Sequence, residues 1–461
     1  MLMGFVADLK SSSRLGLLVA GSAATVGVIY GYDQSNIAGA LLGLTAEFQL
    51  STHDQELVTT AVVVGQIVGA LGGGALANRI GRKPSMVLVA FGFGVFSLLS
   101  GLAFSVPTLL AARLLLGVSV GVSIVVAPVF VAESAPTRVR GAMLVLYQVA
   151  TVIGIIAGYL VAWALAGAGG WRLLLGLAAV PAALVVLMLL RLPDTARWYM
   201  LRGRREEARR VLADLDPDTD PDVELAEIDA ALSEERRGGV AELLRKPWRR
   251  ATVFVVVLGF FIQITGINAI VYYSPRIFES MGFTGNAALL GLPALVQVFG
   301  LAAVLTSLVT VDRFGRKPTL LTGIGIMVVA NALLIVVFLL SSSFGGVLTA
   351  LGFVGLVLFT VGFTFGLGSL VWVYAGESFP ARLRAQGASA MLTADLVANA
   401  IVAAVFLTML NGLGGAGTFA VFGVLALLAM VFVHRQAPET KGRRLEEIRQ
   451  YWENDGKWTA S

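Results

Sequence analysis

The chain contains no cysteine and only two histidines in 461 residues. The first absence excludes disulfides and thiolate-held metals, and the second leaves little material for a histidine-ligated one. Charge is scarce as well: Asp, Glu, Lys and Arg make up 14% of the residues. Soluble domains carry about 25%. In their place stand apolar residues, 57% of the chain, with a mean hydropathy of +0.83. That balance describes an integral membrane protein. The formal charge of +5 points to a polyanion such as nucleic acid only until the basic residues are located.

A helix needs roughly 20 apolar residues to cross a bilayer. Such runs lie near 15–40, 55–77, 85–105, 107–132, 141–165 and 171–191, and again near 251–275, 285–311, 319–342, 346–376, 385–411 and 415–434. Twelve crossing helices are therefore expected. The first run has no small-residue cleavage site behind a short apolar core, so it reads as a retained span and not a signal peptide. Residues 192–250 differ in kind. "ARWYMLRGRREEARRVLADL" and "DVELAEIDAALSEERRGGVAELLRKPWRR" are dense in charge, with apolar residues at helical spacing, as in short amphipathic helices in water. The expected division is a six-helix bundle over 1–191, a helical linker over 192–250, a second bundle over 251–434 and a tail over 435–461.

Lys and Arg gather in the N-terminal segment, at 79–83, 138–140, 191–250, 313–317 and 382–384, and after 434. These are alternate connections and the two ends, so the positive-inside bias makes both termini cytoplasmic. The opposite loops hold only Arg172 and Arg276, and Arg113 falls inside a span. The basic charge thus reflects topology, and no nucleic-acid partner is expected.

The chain repeats itself. "VAESAPTRVRG" at 131–141 returns as "AGESFPARLRA" at 375–385, aligning Glu133 with Glu377 and Arg140 with Arg384. "NRIGRKP" at 78–84 returns as "DRFGRKP" at 312–318, and "PDT" at 193–195 as "PET" at 438–440. Nearly equal shifts report one duplication of about six spans. Parallel repeats of this kind place substrate near the bilayer midplane.

These motifs, with "GYDQSNIAG", "PDTARW" at 193–198, "TGINAIVYYSP" at 265–275 and "PETKGRRLEEI" at 438–448, resemble the sugar porter family of the major facilitator superfamily along essentially the whole chain. The resemblance implies an all-α integral membrane protein of the major facilitator fold: 12 transmembrane helices in two six-helix bundles around a central cavity, with a cytoplasmic helical linker. It implies a transporter that is not an enzyme, needs no cofactor and works in the bilayer as a monomer.

Within "VIYGYDQSNIAG" at 28–39, Asp33 is a lone carboxylate near the end of an apolar run. Such residues face a cavity or a partner and carry function. Asp33 lies about six residues before the expected outer end of the first span, and Arg113 about as far inside the fourth, so both sit roughly 10 Å deep. Equal depth allows an ion pair. Proton-coupled sugar porters have an Asp and an Arg at these places, and passive facilitators commonly lack the Asp. Separation of the pair would favour the protonated acid, linking a proton to conformation. A static structural pair is the alternative.

A sugar needs paired donors and acceptors, which amides supply. Gln148, Gln263, Asn268, Trp372 and Asn399 match the family's pocket positions. The amides otherwise serve as helix–helix glue. Trp372 otherwise packs, and Tyr272 and Tyr273 are either packing or an outer gate. Three departures stand out. Ile262 replaces the first of two span-seven glutamines; Gly300 replaces an asparagine, with Gln297 a turn away; and Asp395 stands where an amide is usual. The roles weighed for Asp395 are, in order, accepting two vicinal hydroxyls, carrying a second proton, and binding a cationic substrate. Inositol-like polyols join hexoses and pentoses as candidate substrates.

At the inner helix ends, Arg79, Arg82, Arg313 and Arg316 lie near Glu133, Arg140, Glu377 and Arg384 and are expected to form a cytoplasmic latch. The alternative is plain positive-inside anchoring, equally suited to Lys83 and Lys317. The function expected is a proton-coupled symporter importing a monosaccharide by alternating access, in a bacterial inner membrane. An uncoupled sugar or polyol facilitator is the nearer alternative. An exporter and a sugar receptor that does not transport are the more distant ones. No nucleophile–base pair or metal-ligand cluster stands out.

Overall fold

The computed structural model describes residues 14–135, 140–167, 169–215, 220–235, 239–340, 346–454 and 456–458. All regular secondary structure among them is helical. In hydrocarbon no water is available to backbone N–H and C=O groups, and an α-helix pairs them within one segment. Among the described residues, eleven helices are long and apolar enough to cross a membrane. The last of these, α18 (Ala381–Gln436), turns at Gly414, where φ is 69° and ψ is 173°. It thus supplies both the eleventh and twelfth expected spans.

The chain falls into two compact units, residues 1–49 with 61–234 and residues 50–60 with 235–461. The first holds α1 (Arg14–Phe48), α2 (Thr52–Ile80) beyond its first turns, α3 (Arg82–Gly101), α4 (Val106–Ser134), α5 (Arg140–Ala164), α6 (Gly170–Gly176) and α7 (Ala179–Leu190). Its polar end carries α8 (Ala196–Leu201), α9 (Arg205–Leu215) and α10 (Pro221–Glu235). These fold on a small apolar cluster of Ala208, Val211, Leu212, Leu215 and Leu225, the buried faces that the linker's helical spacing predicts.

Close approach in this unit depends on small residues. Gly27 and Gly31 of α1 face α5, whose Gly154 and Gly158 face back, and any Cβ there would strike a neighbouring backbone or Ser35. Gly65 and Gly69 of α2 meet Gly117 and Gly121 of α4 in the same way. Without a hydrophobic force between helices in lipid, such contact lets dispersion hold them.

The second unit holds the first turns of α2, α11 (Val240–Leu243), α12 (Arg249–Ile264), α13 (Ile267–Ser280), α14 (Leu292–Phe314), α15 (Arg316–Leu339), α16 (Gly346–Phe365), α17 (Leu367–Glu377), α18 and α19 (Leu445–Glu453). Two spans expected to be continuous are broken. The seventh divides at Gly266, with φ of 102°, and the tenth at Gly366. A Cβ on Gly266 would stand 2.8 Å from the ring of Phe422, so both the turn and the fit require glycine there.

One boundary needs correction. Residues 41–48 continue α1, which ends only where Gln49 takes a positive φ of 53°. Glu47 fixes that extension, accepting Trp171 Nε1 at 2.8 Å and Arg172 Nη2 at 2.7 Å. Equal depth of Asp33 and Arg113 therefore does not follow from counting back from the helix ends.

Candidate transport site

In the first unit Asp33 and Arg113 do meet. Their side chains are 3% and 2% exposed, and Arg113 Nη1 lies 4.0 Å from Asp33 Oδ1. That distance is Coulombic contact without a hydrogen bond, and Asp33 Oδ1 receives no other hydrogen bond. Beside it, Tyr32 fixes the face of α1 by donating to the Leu174 carbonyl at 2.8 Å. Gln148 lies on α5 in this unit with its side chain exposed.

In the second unit the break at Gly266 starts α13 just before Asn268. Asn268 Nδ2 and Asn399 Nδ2 both donate to the Tyr272 hydroxyl, at 3.3 and 3.1 Å. Asp395 sits one turn before Asn399 on α18, 6% exposed, with the Gln263 side chain close by. Gln263 Oε1, Asp395 Oδ1 and Asn399 Oδ1 are left without hydrogen-bond donors. Gln297 is buried on α14, and Trp372 on α17 is 38% exposed. Tyr273 is wholly buried, donates to the Ala403 carbonyl at 2.7 Å, and stacks on Phe406.

Amides, a carboxyl, a half-open tryptophan and a broken helix lie in one unit, and their chemistry suits a polyhydroxylated molecule. A family model described as "Sugar (and other) transporter" matches residues 19–452. The chain belongs to this sugar transporter family. It is 36% identical over 453 residues to the "Galactose-proton symporter" of Escherichia coli (strain K12), covering 95% of each chain. To the "Arabinose-proton symporter" of the same strain it is 34% identical, over 96% of this chain and 94% of that one. Among solved structures it is similar to the xylose transporter XylE from E. coli in a partially occluded inward-open conformation. That match has a TM-score of 0.81 and 26% identity, and covers 94% of this chain and 100% of that one. The family is one of transporters, and this chain is a multi-pass membrane protein of it.

At the charged helix ends of the transporter, the repeated motifs close within each unit. Asp194 Oδ1 accepts Arg82 N at 3.1 Å, Lys83 N at 3.2 Å and Thr195 N at 2.8 Å. It therefore caps α3, which has no side-chain cap of its own. Burial pushes the Asp194 carboxyl above the ordinary carboxylate range, and the backbone donors and Arg82 pull it back. Glu133 binds Arg82 Nε at 3.0 Å, the Thr195 hydroxyl at 2.6 Å and Arg197 at 3.6 Å. In the second unit Glu439 repeats the cap, accepting Arg316 N and Lys317 N at 3.0 Å each, and Arg316 lies 4.0 Å from Glu377.

The remaining expected latch residues are placed differently. Arg79 and Arg313 offer their backbone carbonyls, the former to Arg202 and the latter to Lys441. Arg384 is half-buried with no hydrogen bond at Nε. The side chain of Arg140, and residues 136–139 of the repeat, lie outside the described residues. Sequence reasoning missed the caps, although "PDT" and "PET" were the signal. It also missed Glu56, 2% exposed, whose two oxygens accept Thr408 N at 2.7 Å and Thr408 Oγ1 at 2.8 Å within the second unit.

Proposed function

We propose that this transporter imports a monosaccharide together with a proton by alternating access. The observation that carries the reading is the buried pair of Asp33 and Arg113, whose Oδ1 and Nη1 atoms lie 4.0 Å apart. A carboxylate in such a site depends on its basic neighbour; once separated, it is favoured as the neutral acid. A rearrangement that moves Arg113 therefore takes up or releases a proton. The relatives named as galactose–proton and arabinose–proton symporters support the coupling. Gln148, Gln263, Asn268, Gln297, Trp372, Asp395 and Asn399 form the sugar-binding groups in this reading, and Tyr272 orders two of the amides.

The same reading places both termini in the cytoplasm of a bacterial inner membrane, from the distribution of Lys and Arg. The protein acts as a monomer, with the linker over 192–250 between two six-helix bundles. The inner caps hold each helix end ready to engage and release as a latch.

The test is uptake into proteoliposomes with and without an inward proton gradient, using a panel of labelled monosaccharides and inositols. Wild type accumulates its sugar only with the gradient. Asp33→Asn abolishes accumulation and retains exchange of sugar for sugar. Accumulation surviving in that variant removes Asp33 from coupling.

A further inference from the structure

The polar cluster of the second unit is unbalanced in the hydrogen bonding of its buried atoms. Its free valences are acceptors: Gln263 Oε1, Asp395 Oδ1 and Asn399 Oδ1 are all buried and unfilled. On the donor side, Asn268 Nδ2 and Asn399 Nδ2 each give one of their two N–H groups to the Tyr272 hydroxyl. A buried acceptor without a donor is costly, so a ligand that donates removes that cost on binding. Asp395 also brings a carboxyl to mid-span. No Lys, Arg or His occurs over 251–275, 277–312, 318–381 or 385–433, so the spans of this half supply no counter-charge.

We propose that this site prefers a protonated amino sugar to the corresponding neutral sugar, with the ammonium group at Asp395. The inference rests on reading these residues as the sugar site. A hydroxyl brings one donor and adds a further acceptor oxygen to a cluster already rich in them. An ammonium brings three donors, no acceptor and a positive charge. One such group placed at Asp395 Oδ1 stands a helical turn from Asn399 on α18, and its charge offsets that of the carboxylate. The same imbalance rejects sugar acids, whose carboxylate would meet Asp395 without a cation between them. Acetylation of the amine removes both the charge and two of the three donors, and with them the preference.

The experiment measures binding to the purified full-length transporter by equilibrium competition. It compares D-glucose with D-glucosamine, D-galactose with D-galactosamine, N-acetyl-D-glucosamine and D-glucuronate. At least one amino sugar is expected to bind 10-fold or more tightly than its neutral parent, with glucuronate and the acetylated sugar weakest. Asp395→Asn is expected to bring each pair to within about threefold, whatever its effect on affinity for the neutral sugar. Equal affinity of parent and amino sugar for wild type overturns the inference. A preference that persists in Asp395→Asn overturns the assignment to Asp395. Wild-type comparisons need no variant, so an unstable Asp395→Asn leaves the first criterion standing. Binding of neutral sugars without amino-sugar preference sinks only this inference; failure to bind any sugar sinks the sugar reading beneath it.

Discussion

Glu56 is a carboxylate whose position in the chain hides its role. It stands near the start of α2, where a charge reads as part of a solvated helix end. Yet both its oxygens are buried against Thr408, one receiving the backbone N–H at 2.7 Å and the other the hydroxyl at 2.8 Å. Around it Gln55 accepts from Arg276 at 3.1 Å and Thr52 from Asn411 at 3.1 Å, all within the second unit. A carboxylate hydrogen-bonded to neutral donors contributes about 1.5–3 kcal/mol per bond. Glu56→Ala is therefore expected to lower the thermal stability of the detergent-solubilised protein by an amount corresponding to about 2–4 kcal/mol. Glu56→Gln, which keeps one acceptor for the Thr408 N–H, recovers part of it. An unchanged melting temperature in Glu56→Ala would show the clasp to be energetically idle. Asp33 and Asp395, by contrast, were legible because each stands far from any other charge in an apolar run.

Whole helices were read well where hydrophobic length decides and poorly where local geometry does. The twelve runs emerge at about their expected places because backbone pairing in lipid leaves no other solution. The breaks at Gly266 and Gly366 were not visible. A glycine in an apolar run reads equally as a helix-packing residue, which Gly154 is, or as a left-handed turn, which Gly266 is. The caps at Asp194 and Glu439 lie 112 and 123 residues from the first helix N–H groups they accept, so the repeated "PDT" and "PET" mark the acids without naming their partners. A lost cap costs about 0.5–2 kcal/mol. Asp194→Ala and Glu439→Ala are each expected to destabilise by about that much, and the Asn and Gln variants by less. The two sites share no partner, so their effects on thermal unfolding add within about 0.5 kcal/mol in the double variant. Strong non-additivity would mean that the two helix ends unfold as one element.

For the molecule as a whole, orientation follows from charge placement alone. The linker and tail are rich in Lys and Arg, as is each "GRKP" connection, whereas the connection over 281–286 carries no charge. Positive segments stay on the cytoplasmic side, which puts Lys457 inside and Asn286 outside. The absence of cysteine makes this directly measurable, because any thiol introduced is the sole one present. Both positions have exposed side chains. In intact cells, a membrane-impermeant maleimide is expected to label Asn286→Cys and to leave Lys457→Cys unlabelled until the membrane is permeabilised. The reverse pattern would invert the transporter, and with it the direction in which a proton gradient drives the cycle through Asp33. The labelling result therefore fixes which way the uptake experiment must be poised, since an inward gradient supports accumulation only if the face that receives the proton is the outer one.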